Sequence, residues 1–106
     1  MSTPLNPKYE EVKNYYDEAE ANIKEVELIN KSLRIPAINQ LRYVGFHITK
    51  AITSQDPKIE NTELDEAIEH AKRARYDALE AGIHFLVGIF SSFQKKTFSY
   101  LLKKLP

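Results

Sequence analysis

Apolar residues recur at alternating steps of three and four through most of the chain, a spacing that places them on one side of α-helices. The longest such seam lies between 61 and 93, and small residues dominate its first half: Leu64, Ala67, Ile68, Ala71, Ala74, Ala78, Gly82, Phe85 and Ile89. Small side chains on a seam let a neighbouring helix approach closely. We therefore predict that a helix beginning near Asn61 organises the rest of the fold.

A polar row with the same spacing runs along the first part of this helix, formed by Glu66, His70, Arg73, Asp77, Glu80 and His84. Opposite charges such as Arg73 and Asp77 fall about one turn apart, and each such pair supports a solvated helix by about 0.2–0.5 kcal/mol. Two interpretations stay open, a solvated face and a polar site or interface. Beyond Leu79 no side of the helix is consistently polar, a pattern typical of a segment that is buried all round.

A first helix is predicted over 7–33, after a loose lead at 1–6. Asn6 suits the cap of this helix and Pro7 suits its first turn, where the missing amide hydrogen of proline does no harm. The three-four spacing of apolar residues continues to Leu33.

A second helix is predicted over 36–53, because Pro36 disfavours helical angles in the preceding residue and can itself open a helix. Its expected seam is Ile38, Leu41, Gly45, Ile48 and Ile52. Gly45 would leave room on that seam for a partner helix. Residues 55–60 are expected to form a polar loop.

The third helix is predicted over 61–90, and residues 91–105 are predicted either to continue it or, after a kink or break near Gly88–Ser92, to form a fourth helix. If the segment 61–103 were unbroken, it would run about 60 Å, beyond the reach of the two shorter helices. Its apolar end must then be covered by folding back or by a second copy, and we expect a homodimer. The residues expected at that interface are Phe85, Leu86, Ile89, Phe90 and Phe93.

Composition limits the fold class and the location. A chain of 106 residues has room for one domain, and three glycines with few β-branched alternations leave little basis for a sheet. We predict an all-α fold, an antiparallel bundle of three long helices. The absence of cysteine excludes disulfides, thiolate metal sites and a cysteine nucleophile. No secretion signal or bilayer-spanning apolar run is found, so a cytoplasmic location is expected.

Charge is unevenly distributed although the net charge is zero. Residues 1–33 carry seven acids and four lysines, whereas residues 81–106 carry four lysines and no acid. The acidic first segment can therefore lie along the basic last one, within a chain or between two. No broad basic face is present, so DNA is not an expected partner. The basic, amphipathic stretch 93–105 would pack on the bundle or bind a membrane surface or a protein partner.

Metal and cofactor chemistry finds little support in the sequence. Di-iron bundles use a glutamate three residues before a histidine, and the residues at those positions are Val44, Ala67 and Ala81. The pairs Glu66–His70 and Glu80–His84 have a spacing that can hold a metal, but each offers only two ligands. A nucleophile elbow and a glycine-rich phosphate loop are also missing. The sequence therefore predicts no metal site and no cofactor.

One motif is more specific. In LRYVGFHITK, Arg42 and His47 are separated by four residues, an arrangement that resembles the R-x4-H signature of the HEPN ribonucleases. The resemblance implies a small all-α domain in which two copies pair, so that arginine and histidine cut RNA without a metal. A histidine can move the 2′-hydroxyl proton near neutral pH, and an arginine can stabilise charge on the phosphate. Five residues of helix turn the two side chains about 140° apart, so they are expected to converge only across an interface or at a distorted turn.

The segments LRYVGFH and EHAKRARYDALE also resemble a short helical segment of uncharacterised bacterial proteins, some of them neighbours of defence or toxin modules. This resemblance implies an accessory or effector-associated domain and no particular activity. If the second helix lies antiparallel to the third, a polar patch could form beside Arg42 and His47. The members expected in that patch are His70, Arg73, Arg75, Tyr76 and Asp77.

Three functions are therefore considered. The first is a non-catalytic, homodimeric interaction or assembly module. The second is a metal-independent endoribonuclease of the HEPN type, in which Arg42 and His47 would be catalytic and RNA the substrate. The third is a protein that binds a membrane surface through its basic carboxy-terminal segment.

Overall fold

The computed structural model describes residues 5–30 and 35–106. Within these two ranges the chain forms three α-helices and no strand, so the prediction of an all-α fold is confirmed. The helices are α1 (Lys8–Asn30), α2 (Ile35–Thr53) and α3 (Pro57–Lys103). No helix in the described part of the chain has an apolar stretch long enough to cross a membrane.

Helix α1 begins where its capping residues predict. The Lys8 amide donates to Asn6 Oδ1 at 3.0 Å, and the Tyr9 amide donates to the Asn6 carbonyl oxygen at 3.0 Å. These bonds satisfy amides that have no partner within the helix. The predicted end of this helix at 31–33 and the first four residues of the loose lead lie outside the described residues.

Helix α2 is rotated relative to its predicted seam. Its buried residues are Ala37, Val44 and Ala51, spaced by seven, and Leu41 and Ile48 pack against the core beside them. The predicted seam shared only Leu41 and Ile48 with this row. The difference arises because alanines on α2 meet the alanines of α3, where small side chains let the helices come close.

Three members of the predicted α2 seam therefore lie outside the core, and Ile38 is the one of these that is partly buried. Ile52 is exposed, and a Cβ built on Gly45 would meet no atom within 4 Å. The expectation that Gly45 makes room for a partner helix is wrong within the chain. Gly82 on α3 has that role instead, since a Cβ there would lie 3.0 Å from Val26 Cγ2 on α1.

Helix α3 begins at Pro57 rather than at Asn61. Asp56 caps it by accepting from the Lys58 amide at 2.9 Å, and Pro57 occupies the first turn. Sequence analysis assigned both residues to a loop, although an acid followed by proline is a strong start signal for a helix. The loop between α2 and α3 is correspondingly short.

Helix α3 continues through Gly88–Ser92 without interruption and ends at Lys103. Of the two predicted alternatives the continuous helix is observed, and the described residues contain no fourth helix. Glycine and serine lower helix propensity but permit helical angles, and no proline lies in this segment to prevent them. With 47 residues, α3 is about 70 Å long.

The core lies where α1 and α2 each pack along α3. The α3 side of this core is the predicted small-residue seam, with Ala67, Ala71, Ala74 and Ala78 fully buried. Among the described residues, Leu64 is the one large side chain that is completely buried. The core is therefore thin, and alanines make up much of it.

The carboxy-terminal part of α3 extends beyond the other helices. Val26, near the end of α1, lies against Gly82, and every residue from 86 to 106 is exposed. The molecule is correspondingly elongated, with extents of 84 × 19 × 17 Å. We call residues 86–103 of α3 the projecting segment.

Candidate functional site

A cleft between α2 and α3 collects most of the chemically interesting side chains. Its volume is about 480 Å³. The residues that line it are Arg42, Tyr43, Phe46, His47 and His70. The four from α2 span about 140° of that helix, from His47 beside the buried row to Arg42 on the exposed side. His70 comes from the polar row of α3.

His47 is held by a carboxylate from the facing helix. Its Nδ1 lies 2.5 Å from Glu63 Oε2, while Lys50 Nζ lies 3.1 Å from Glu63 Oε1. The hydrogen bond from His47, together with that from Lys50, lowers the pKa of Glu63. An ionised carboxylate can only accept hydrogen bonds. Nδ1 of His47 is therefore the donor, and Nε2 keeps its lone pair when the ring is neutral.

His70 is held in the same way by an amide. Its Nδ1 lies 2.7 Å from Gln40 Oε1, and because an amide oxygen accepts, Nδ1 again carries the hydrogen. Partial burial, and then the neighbouring charge of His47, lower the pKa of His70. The ring is therefore held toward its neutral form.

The two imidazoles stack on one another. Their ring centroids are 5.2 Å apart and the ring planes differ by 12°. Tyr43 packs against His70 at 5.1 Å, and the Phe46 ring meets His47 edge-on at 5.3 Å. These aromatic neighbours restrict the rotation of both histidines.

Arg42 and His47 line the same cleft although both belong to one helix. Helix α2 is regular throughout, and the expectation that the two side chains converge only across an interface or at a distorted turn stays a prediction. The Arg42 guanidinium Nη1 donates to Asn39 Oδ1 at 3.4 Å, a long contact on the exposed side of α2. The arginine is thus only loosely held.

The predicted polar patch is divided between two flanks of α3. Of its five members, His70 lines the cleft. Arg75 faces α1 instead, where its Nε donates to Asn22 Oδ1 at 2.7 Å and Nη1 lies 3.8 Å from Glu18 Oε2. Arg73 and Tyr76 are exposed, and Asp77 is partly buried. These residues therefore do not form one site.

The residues predicted for the interface lie in or beside the projecting segment. Leu86, Ile89, Phe90 and Phe93 are exposed, and Phe85 is partly buried. They belong to a helix that has no neighbour at this end in the described part of the chain.

Several residues of the cleft were not among the predicted site residues. These are Gln40, Tyr43, Phe46, Lys50 and Glu63. A signal for them is present, because Gln40, Tyr43, His47 and Lys50 follow one helical row, as do Glu63, Glu66 and His70. The sequence does not show that these two rows face each other, because that depends on how α2 and α3 are rotated relative to one another.

Comparison with protein families, with curated proteins and with solved structures finds no match for this chain. Inferences about its function therefore depend on the geometry of its own residues.

Proposed function

We propose that the protein is a non-catalytic helical module that assembles with a second copy of itself through the projecting segment. The observation that carries this proposal is the exposure of many large apolar side chains along one helix. They are Leu86, Val87, Ile89, Phe90, Phe93, Phe98, Tyr100, Leu101 and Leu102. Soluble monomers rarely expose a continuous apolar surface of this extent.

The proposal treats the three helices as an antiparallel bundle. At one end, Lys8 Nζ lies 2.8 Å from Asp65 Oδ1, and at the other Val26 lies against Gly82, which supports α1 and α3 running in the same direction. Helix α2 would run the opposite way, because its late residue His47 meets Glu63 and its early residue Ala37 packs with Ala78. Such a bundle ends near Gly82.

Charge favours an antiparallel pairing of two projecting segments about Phe93. The lysines at 95, 96, 103 and 104 are the charged residues of the segment and its end. If Phe93 of one copy packs against Phe93 of the other, Lys103 and Lys104 of each copy lie beside residues 82 and 83 of the other. Acids cluster around that point, namely Glu80 on α3 and Glu25 and Glu27 on α1. The apolar residues are then buried while the last two lysines face carboxylates.

Cysteine cross-linking tests this pairing, because the chain has no cysteine of its own. In the variant Phe93→Cys, the two thiols of a dimer would lie near its two-fold axis, within the short distance that a disulfide requires. We expect rapid formation of a covalent dimer under mild oxidation. Tyr76→Cys is the matched control, since Tyr76 is equally exposed on α3 but lies outside the projecting segment. Equal rates of cross-linking for the two variants would contradict the pairing.

A second candidate, a metal-independent ribonuclease of the HEPN type, is favoured by the shared position of Arg42 and His47 in one cleft. With Nδ1 of His47 donating to Glu63, Nε2 would accept the 2′-hydroxyl proton, and Arg42 would stabilise the negative charge on the phosphate. Both groups would act from one chain, with the partner chain widening the RNA-binding surface.

The ribonuclease candidate predicts cleavage of tRNA in EDTA. His47→Ala would lower the rate at least about 100-fold, the contribution expected of a general base. His84→Ala is the matched control, because His84 is exposed on α3 outside the cleft. An inactive wild-type protein, or equal cleavage by wild type and His47→Ala, would exclude this candidate.

A further inference from the structure

Two histidines and a glutamate converge in the cleft from facing helices. His47 of α2 and Glu66 and His70 of α3 each offer one ligand atom, and these three atoms lie within 4.8 Å of one another. Glu66 and His70 are one helical turn apart, which explains their shared face. The third ligand comes from α2, which sequence spacing within α3 could not indicate.

The hydrogen bonds of both histidines suit a metal site. Each ring uses Nδ1 to donate to an oxygen, that of Glu63 or that of Gln40. Each ring therefore has Nε2 available as a ligand. Histidines that bind metals commonly donate their other ring nitrogen to a carboxylate or carbonyl oxygen, which fixes both tautomer and orientation.

We propose that His47, Glu66 and His70 bind a divalent transition-metal ion, with Zn²⁺ the best match. Two imidazoles and one carboxylate are a common donor set for zinc, with a fourth position left for water or another ligand. Ca²⁺ and Mg²⁺ prefer sites made of oxygen atoms alone. In a tetrahedral zinc site, ligand atoms are about 3.3 Å apart, so the three side chains need to draw together by rotation of their side-chain torsions.

The surroundings of the three ligands support binding at this place. Tyr43 and Phe46 pack on the imidazoles and limit their alternative orientations. Glu63 orients His47 through Nδ1, and Lys50 lies 3.1 Å from the other oxygen of that carboxylate. The site lies within the part of α3 that α2 covers, well before the projecting segment. Metal binding and self-association are consequently separable properties.

Calorimetric titration with Zn²⁺ tests the proposal on untagged protein stripped with EDTA. Wild type is expected to bind one ion per chain, and His47→Ala and His70→Ala are each expected to weaken binding at least about 100-fold. Glu63→Gln alters only the partner of a ligand and is expected to weaken binding about 10- to 100-fold. His84→Ala is the matched control, because this third histidine is exposed and pairs with Glu80 outside the cleft, and the variant should bind as wild type does.

Titration with Co²⁺ gives a second readout that reports coordination directly. Wild type should develop the intense visible absorption of four-coordinate Co²⁺, and the spectrum should disappear on addition of excess Zn²⁺. His47→Gln and His70→Gln retain polar side chains of similar reach and keep the assay valid if either alanine variant unfolds. Binding that is unchanged in both glutamine variants, or that is lost in His84→Ala, would overturn the proposal. So would wild-type protein that binds neither ion.

Discussion

Replacing Phe90 and Phe93 by aspartate is expected to convert the dimer to a monomer. Both side chains are largely exposed in the single chain, at 61% and 65%, so the bundle does not depend on them. In the proposed dimer each would bury an aromatic ring, which contributes about 1.5–3 kcal/mol. Loss of these rings from both chains, with four carboxylates added, should raise the dimer Kd at least about 1,000-fold. Sedimentation velocity across a concentration series measures this change.

The matched control replaces Ile52 and Tyr76 by aspartate. These side chains are as exposed as the two phenylalanines, at 64% and 65%, but they lie on the bundle. We expect the control variant to keep the dimer Kd of wild type. A similar loss of association in both double variants would indicate a general effect of added negative charge. That result would contradict an interface in the projecting segment.

Leu64→Ala is expected to destabilise the bundle more than any single truncation outside the core. Leu64 is completely buried and packs in one cluster with Val12 of α1, Val44 of α2 and Ile68. Truncation would leave a cavity between all three helices, and such changes cost about 2–5 kcal/mol. The free energy of unfolding should be measured by urea titration in the Phe90→Asp, Phe93→Asp background, since association would otherwise add to the apparent stability.

Leu28→Ala is the control for this substitution. Leu28 lies on α1 and is mostly exposed, so its truncation should change the free energy of unfolding by less than about 0.5 kcal/mol. If the two variants were equally stable, Leu64 would not lie at the centre of the core, and the packing of α1 and α2 on α3 would be wrong.

The all-α fold and the buried side of α3 could be predicted because they depend on local spacing. The row from Leu64 to Gly82 is buried throughout, since small residues at helical spacing suit only a close helix contact. The predicted rotation of α2 about its own axis was wrong, because two different rows of that helix could form its buried side. The row with larger side chains was chosen, whereas the alanines at 37 and 51 fit the alanine seam of α3. Tertiary packing decided between the rows.

The continuity of α3 beyond Gly88 could not be predicted from hydrophobicity alone. An apolar helix without neighbours suggested that the chain must turn back, and two serines offered a hinge. Helical hydrogen bonding does not require a neighbour, however, and α3 continues to Lys103. The apolar side chains of the projecting segment are therefore not buried within the single chain, and in the proposed dimer a second copy buries them.

The cleft was predicted only in part. Arg42, His47 and His70 were singled out by residue type, and the structure brings these three together. Their partners Gln40 and Glu63 were missed, because a hydrogen bond between helices depends on register and rotation as well as on sequence. The expected absence of a metal site rested on ligand pairs within one helix. That reasoning had no means of adding His47 from α2.

The mass of the wild-type protein in solution tests the central claim most directly. Sedimentation velocity or light scattering at micromolar concentration should give twice the chain mass of 12.2 kDa, with the projecting segments of two copies burying one another. A particle of 12.2 kDa throughout the concentration range would contradict the account.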